Sequence, residues 1–117
     1  MKNKNKFGAK HIEKAGLWFD SKAESKHHDE MLLRERAGEI IIQKLQDRIH
    51  LVAGIHWVVD FKIMDMKANA EVWEEFKGFS TPEFILKKKL WSVFGPGILR
   101  IYYATGKIEI VTPKGSK

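Results

Sequence analysis

Residues 57–78 read WVVDFKIMDMKANAEVWEEFKG, two strand-like segments on either side of a short polar turn. Val, Ile, Phe and Trp, which recur in both segments, are residue types enriched in β-strands. Asp, Lys and Asn in residues 65–69 are typical of the turn between them. The stretch therefore predicts strands at residues 55–64 and 70–76, with Gly78 ending the second strand.

The polar side chains of these two strands fall on defined faces, because successive side chains of a strand point to opposite sides of the sheet. Asp60 lies on the face opposite to its two apolar neighbours. Glu75 and Lys77 share one face of the next strand, and Glu74 points to the other face. If the strands pair as neighbours, Asp60 and Glu75 approach closely, with Lys77 one residue pair further along.

Two facing carboxylates and a lysine suit metal-dependent chemistry on a phosphate. The carboxylates repel each other, and a hard divalent cation such as Mg²⁺ relieves that repulsion while it retains waters. The cation orients the phosphate and acidifies a bound water, and Lys77 holds the attacking water or stabilises the charged transition state. The alternative is an exposed ion pair between Glu75 and Lys77 on a solvated sheet face.

The rest of the chain predicts helices and strands around this pair. In chain order they are an edge strand or anchor at residues 17–19, a helix at 22–37, strands at 40–42 and 49–52, the pair above, a helix at 82–94, and strands at 99–103 and 107–111. Ser21 and Glu24 have capping-box spacing, and Gly38 stops the first helix. Thr81 caps the second helix. This order indicates an α/β fold, a central sheet with helices packed upon it.

The second predicted helix has an apolar face and a basic face. Four side chains form the apolar face that is expected to pack on the sheet: Leu86, Leu90, Val93 and Phe94. Lys87, Lys88 and Lys89 turn mostly elsewhere and have no compensating acid nearby, so they are candidates for phosphate contacts as well as for an ordinary solvated face. Trp73 shares the face of Glu75 and Lys77 and is the one tryptophan singled out for a test of base stacking.

Two further polar residues are assigned ordinary structural roles. His28 lies one helical turn after Glu24 and is predicted to be a surface histidine. Gln46 follows the isoleucine-rich segment and is predicted to hydrogen-bond in a turn.

The composition limits the chemistry and favours a polyanionic partner. The chain of 117 residues has no cysteine, which excludes disulfides, zinc–thiolate sites and thiol nucleophiles. Its 21 Lys and Arg residues against 15 Asp and Glu residues give a net charge of +6, which favours a partner such as nucleic acid. No apolar run reaches the ~18–20 residues that span a bilayer, and no secretory signal is visible, so we expect a soluble cytoplasmic protein.

One domain is predicted, residues 17–112, with an extension on each side. Residues 1–10 carry four lysines and no acid, Lys10 being nearest to the domain. Residues 1–16 are therefore predicted to be a flexible basic arm, with an ordinary frayed terminus as the alternative. Residues 113–117 are predicted to be a loose tail.

Three motifs, in this order, resemble the core of the PD-(D/E)XK nucleases. They are Phe19-Asp20-Ser21-Lys22-Ala23-Glu24, Val59-Asp60-Phe61 and Glu75-Phe76-Lys77-Gly78. Together with the order of elements over residues 18–111, they look like those of small phage-encoded nucleases related to archaeal Holliday-junction resolvases. Val59 departs from the pattern, since the motif's name has proline there.

The resemblance implies a restriction-endonuclease-like core with a mixed central sheet. It implies a Mg²⁺-dependent homodimer, with Mn²⁺ able to substitute, that makes paired symmetric cuts in branched DNA. By the same resemblance Glu24, Asp60 and Glu75 are metal ligands and Lys77 is the catalytic lysine. A phage-encoded enzyme of this kind acts in the cytoplasm of the host cell.

Other functions stay open at the level of sequence. The same motifs fit a nicking, repair or restriction-like nuclease that acts on duplex DNA or flaps. A DNA-binding module that keeps the fold without the reaction is the alternative outside enzymes. Glu24 is also explained by the capping box with Ser21, without any metal. The candidates for DNA contact are Lys10, Trp73, Lys87, Lys88 and Lys89.

Overall fold

The structure is a computed structural model that describes residues 12–14, 17–19 and 22–114, the first two ranges as backbone only. The helices and strands in these ranges are β1 (Ile12–Lys14), β2 (Leu17–Phe19), α1 (Lys22–Arg36), β3 (Ile40–Val52), β4 (Ile55–Asp65), β5 (Ala70–Lys77), α2 (Pro82–Phe94), β6 (Ile98–Tyr103) and β7 (Ile108–Val111). Neither α1 nor α2 is long and apolar enough to cross a membrane.

Five strands form a mixed sheet in the order β3-β4-β5-β6-β7. β5 and β6 run parallel, whereas the other neighbours are antiparallel. A parallel pair requires a crossover connection, which α2 supplies. β1 and β2 form a separate two-stranded sheet. The predicted α/β class with a mixed central sheet is confirmed.

The two helices pack on opposite faces of the sheet. Val72 and Trp73 are adjacent in β5 and therefore point to opposite faces. Val72 packs in a cluster with Met31 of α1, and Trp73 packs in a second cluster with Trp91 of α2. Alternate side chains from Trp73 onward consequently face α2.

Local sequence signals set the ends of both helices. Thr81 is extended at φ −118°, and its side chain accepts a hydrogen bond of 3.1 Å from the N–H of Phe84, as expected of an N-cap. Gly38 follows α1 with φ +81°, the left-handed conformation that glycine adopts readily. Both predicted helices are confirmed, and Ser21 of the capping box lies outside the described residues.

β3 is one continuous strand where the sequence predicted two. Gln46, predicted in a turn, lies inside this strand with φ +54°. The prediction was wrong because a polar interruption of the hydrophobic pattern looked like a break, whereas pairing with β4 supplies hydrogen bonds on both sides of it. Gln46 lies between Leu45, which pairs with Phe61, and Asp47, which pairs with Val59.

The β3–β4 hairpin changes its packing partner at this point. Val59 packs in the cluster of α2, but Phe61, two residues further on, packs in the cluster of α1. Residues two apart share a face in a regular strand, so the helix that packs against this side of β4 changes from α2 to α1 at Asp60. The positive φ of Gln46 is the matching irregularity in β3.

The buried face of α2 is not the predicted one. Three of the four predicted core residues are about half exposed: Leu86 at 53%, Val93 at 46% and Phe94 at 48%. Phe84 and Trp91 are buried instead, and their rings pack edge-on against Trp57 at centroid distances of 5.6 and 5.7 Å. The two rings lie seven residues apart on one helix face, and Leu90 of the predicted stripe packs beside them against the same core cluster.

Glu74 is fully buried and holds α1 on the sheet. Its carboxylate accepts hydrogen bonds from Arg34 of α1 at 2.9 Å, from Arg100 of β6 at 2.9 Å and from the hydroxyl of Tyr102 at 3.2 Å. Burial of this charge is tolerated because two guanidinium groups and a hydroxyl satisfy it. Glu74 thus acts as a structural anchor on the face opposite Glu75.

The two predicted extensions are described only in part. Residues 12–14 of the predicted arm form β1, so the part of residues 1–16 that is described is paired with β2. The rest of the arm, Lys10 included, lies outside the described residues. In the predicted tail Pro113 is buried, and the N–H of Lys114 donates to the carbonyl of Ser92 at 2.8 Å, so these two residues are anchored on α2.

Candidate active site

Asp60 and Glu75 face each other where β4 and β5 diverge. The hydrogen-bonded ladder between the strands ends one residue earlier, at the pair of Phe61 and Glu74. Beyond it, the N–H of Asp60 donates to Glu75 Oε1 at 2.9 Å, and the N–H of Phe76 donates to Asp60 Oδ2 at 2.9 Å. At the point where the two strands diverge, called the fork below, carboxylate oxygens thus replace main-chain carbonyls as hydrogen-bond acceptors. The structure brings Asp60 and Glu75 together, as the alternation of side chains predicted.

The carboxyl group of Glu75 is buried and is hard to ionise in isolation. It is 5% exposed, and this burial, reinforced by the negative charge of Asp60, raises the pKa of Glu75 to about 8 from an ordinary value of 4.5. Lys77, the N–H of Asp60 and the indole of Trp57 act in the opposite direction. A further positive charge placed beside the two acids would therefore lower the pKa of Glu75 from this raised value.

Lys77 lies on the same face as Glu75, at the last position of β5. Its Nζ is 3.8 Å from Glu75 Oε2 and 5.0 Å from the ring centroid of Phe84. The side chain is 32% exposed, so its ammonium group stays accessible while its stem is packed. Lys77 can therefore reach a ligand that enters beside Glu75.

A cleft of about 450 Å³ opens beside this group. Residues from the β3–β4 hairpin, from the end of β5 and from the first turns of α2 line it: Arg48, His56, Trp57, Val58, Glu75, Lys77, Thr81, Glu83, Phe84 and Lys87. Three of these residues are basic, Arg48, Lys77 and Lys87, and the others include one imidazole and two acids. The cleft is thus suited to an anionic ligand that meets Glu75 and Lys77 together.

Asp60 and Glu75 fit a magnesium ion by the chemistry of their ligand atoms. A carboxylate has about four lone-pair sites; a main-chain N–H takes one on each acid, and the indole of Trp57 and the ammonium of Lys77 also approach Glu75. Mg²⁺ usually binds one or two protein carboxylates and completes its shell with waters and substrate phosphates. Burial and the negative charge of Asp60 raise the pKa of Glu75, and a divalent cation held between the two acids would lower it.

Glu24, the third predicted ligand, is not gathered with these two acids. It lies half-buried in the first turn of α1. Over the described ranges, no three His, Asp or Glu side chains form a group that could hold a metal. The inward side of α1 is occupied by His27, which stacks on Phe76 at 5.5 Å between ring centroids. Within the described residues Glu24 therefore does not form a group of three acids with Asp60 and Glu75.

The three lysines of α2 point to different surroundings. Lys87 lines the cleft and pairs with Glu83 at 3.1 Å, whereas Lys88 reaches across to Glu109 of β7 at 3.0 Å. Lys89 is exposed and does not line the cleft. The premise that no acid compensates these lysines was wrong, because Glu83 lies one helical turn away and Glu109 comes close only in the folded chain.

Trp73 lies on the predicted face but belongs to the core. It is 5% exposed, its indole N–H donates to Asp47 at 2.9 Å, and its ring packs against Trp91 at 5.9 Å. The ammonium of Lys62 covers the ring at 5.4 Å. The predicted DNA contact of Trp73 does not fit this burial, because α2 covers the ring.

His28 is not the predicted surface residue. It is 7% exposed and packs on Phe61 at 5.5 Å between ring centroids. The prediction was wrong because α1 turns its polar side, and not a continuous apolar stripe, toward the sheet.

Sequence reasoning missed Arg48 and His56, which line the cleft from the β3–β4 hairpin. The signal that could have found them is the hairpin register, in which Arg48 pairs with Val58 and His56 with His50. That register was hidden because β3 was predicted as two separate strands.

One protein family has a model that matches most of this chain. The family is described as "Protein of unknown function (DUF1064)", and the match covers residues 4–103. No curated protein and no solved structure matches the chain. Asp60, Glu75 and Lys77 all fall inside the matched region. The chain therefore belongs to the DUF1064 family.

Proposed function

We propose that this protein is a Mg²⁺-dependent endodeoxyribonuclease whose catalytic centre is Asp60, Glu75 and Lys77. The observation that carries the proposal is the fork between β4 and β5, where two carboxylates face each other across diverging strands. Lys77 lies 3.8 Å from one of them, and a cleft opens beside it. A net charge of +6 supports a polyanionic substrate.

Each residue has a task in phosphodiester hydrolysis. Asp60 and Glu75 would hold the cation with carboxylate oxygens. When bound, Mg²⁺ acidifies a water and neutralises negative charge that develops on the phosphate. The ammonium group of Lys77 stabilises the same charge or orients the attacking water, and its contact with Glu75 at 3.8 Å holds it in position.

A restriction-endonuclease-like core is part of the proposal. The chain order α1-β3-β4-β5-α2-β6 has one helix, three antiparallel strands, a crossover helix and a parallel strand. The carboxylates lie on the second and third of those strands, which is where the resemblance to PD-(D/E)XK nucleases puts them. That agreement of order and position is what supports the finer fold assignment.

We propose that the protein is a cytoplasmic Holliday-junction resolvase. Its substrate would be branched DNA, in which it makes paired cuts. Resolution of a four-way junction needs two symmetric cuts, and a two-fold symmetric dimer supplies two active sites at a fixed separation. The exposed stripe of Leu86, Val93 and Phe94 on α2 supports a homodimer, because a monomer would leave this apolar surface in water.

Val93→Glu is expected to convert the dimer to a monomer. A charge in the middle of the α2 stripe would be buried without a partner in a symmetric contact, and it would meet its own copy there. Light scattering after size exclusion measures the mass. Leu33→Glu, on the exposed side of α1, is the matched control and should leave the mass unchanged. A wild-type protein that is already monomeric would contradict the dimer.

Wild-type protein is expected to cut a labelled four-way junction into symmetric products with Mg²⁺ or Mn²⁺, and not in EDTA. Lys77→Ala should slow this cleavage by about 10²–10³-fold, the usual loss when one group that stabilises the transition state is removed. Denaturing gels measure both rates, and thermal melting confirms that the variant is folded.

A linear duplex of the same sequence separates the alternative functions. Faster cleavage of the junction supports a resolvase. Equal rates on the two substrates would instead favour a nicking, repair or restriction-like nuclease. Tight binding of DNA without cleavage at any metal concentration would overturn the enzyme and favour a non-catalytic DNA-binding module.

A further inference from the structure

Three side chains of the cleft have no task in the proposed centre. Arg48 and His56 enter from the β3–β4 hairpin, and Lys87 enters from the second turn of α2. Together with Lys77 they place positive charge and hydrogen-bond donors along the cleft. Sequence alone gave Arg48 and His56 no role.

The folded hairpin is what presents Arg48 and His56. Arg48 lies on β3 and His56 on β4, in the part of the hairpin where β4 pairs with β3 and not with β5. The ring of His56 is held by His50, its cross-strand partner, at 5.1 Å between ring centroids. The cleft lies between this part of the hairpin, the end of β5 and the first turns of α2.

The basic side chains of the cleft differ in whether an acid forms an ion pair with them. Lys87 is paired with Glu83 at 3.1 Å, and the side chain of Glu83 is 75% exposed, so a stronger anion can replace this acid at little cost. Arg48 is exposed and makes no ion pair with any residue in the described ranges. A guanidinium in such a position suits the planar, bidentate recognition of phosphate.

We infer that Arg48, His56 and Lys87 form a phosphate subsite, which holds the DNA backbone beside the proposed catalytic centre. The inference rests on the proposed nuclease function, and it adds the path of the substrate. The phosphate that is cut lies at Asp60 and Glu75, and a neighbouring phosphate of the same strand lies between the hairpin and α2. Contacts of this kind fix the position of DNA and carry no sequence information.

The test is the salt dependence of DNA binding by the full chain, measured by fluorescence anisotropy in EDTA so that no cleavage occurs. Each neutralised phosphate contributes a slope of about 0.9 to the fall of log affinity with log salt concentration. Arg48→Gln and Lys87→Gln are each expected to lower that slope by about one and to weaken binding severalfold at low salt. Glutamine keeps much of the apolar side-chain stem of Arg or Lys and removes the positive charge.

Glu83→Gln is the matched variant that should change DNA affinity in the opposite direction. It releases Lys87 from its acid, so it is expected to tighten binding severalfold in the same titration. Arg36→Gln and Lys67→Gln change exposed cations outside the cleft and should leave affinity and slope near the wild-type values. Thermal melting of every variant separates a loss of charge from a loss of fold.

The two proposals fail in different ways. If the wild type cuts DNA but Arg48→Gln and Lys87→Gln bind with the wild-type slope, the subsite is overturned and the nuclease stands. If both variants lose slope but the wild type never cuts DNA, the binding cleft stands and the nuclease is overturned. A Glu83→Gln variant that binds no more tightly than wild type would contradict the part of the subsite assigned to Lys87.

Discussion

Glu75→Gln is expected to lower Mg²⁺-dependent cleavage by about 10²–10³-fold while the folded protein becomes more stable at pH 8. Glutamine keeps the shape of Glu75 and an oxygen that can accept the N–H of Asp60. It removes the charge that a cation needs. It also removes the cost of burying that charge beside Asp60, which is the cause of the raised pKa of Glu75.

The pH dependence has a definite sign. The pKa of Glu75 is about 8 in the folded protein against 4.5 as the ordinary value, so the folded state holds this proton more tightly than the unfolded state. The resulting stabilisation is fully present below pH 4.5 and is lost as the pH rises through about 8. Without metal, the melting temperature of Glu75→Gln minus that of wild type should therefore grow between these pH values.

Addition of Mg²⁺ should reverse the difference in melting temperature between Glu75→Gln and wild type. A ligand that binds only the folded state raises the melting temperature with its concentration. At pH 8 we expect wild type to gain stability with Mg²⁺ and Glu75→Gln to gain much less. Differential scanning fluorimetry, with EDTA and matched ionic strength as controls, measures both. An equal shift in the two proteins would show that Glu75 does not hold the cation.

Glu74→Gln, one residue earlier, is expected to have the opposite outcome and to destabilise the fold by about 3–5 kcal/mol, the usual cost of removing one partner of a buried ion pair. The carboxylate of Glu74 is shared by Arg34 and Arg100, which tie α1 and β6 to β5. Its removal leaves two partly buried guanidinium groups without their shared anion. For a small domain this loss is a large part of the total stability.

Urea unfolding followed by tryptophan fluorescence measures the effect of Glu74→Gln. Glu71→Gln is the control in the same strand, because the Glu71 side chain is 45% exposed and lies 3.7 Å from Lys62. That change should stay within about 0.5 kcal/mol of wild type. A Glu74→Gln protein that unfolds like wild type but fails to cut DNA would mean that Glu74, and not only Glu75, serves the reaction.

Local patterns in the sequence determined the helices, most of the strands and the pairing of Asp60 with Glu75. Thr81 and Gly38 act within one turn of their own positions, so their effect is readable without the fold. Strand alternation is equally local, and it put Glu75 and Lys77 on one face and Glu74 on the other.

Contacts between distant segments decided the rest. The predicted stripe of α2 and the pair of Phe84 and Trp91 both have helical spacing. The rings of Trp57 and Trp73 beneath the helix select the second as the buried face. Likewise Arg48 reaches the cleft because β3 continues through Gln46, which pairing with β4 stabilises. Periodicity shows which side chains share a face, but the neighbour that covers the face is set by tertiary packing, since burial depends on segments far apart in the chain.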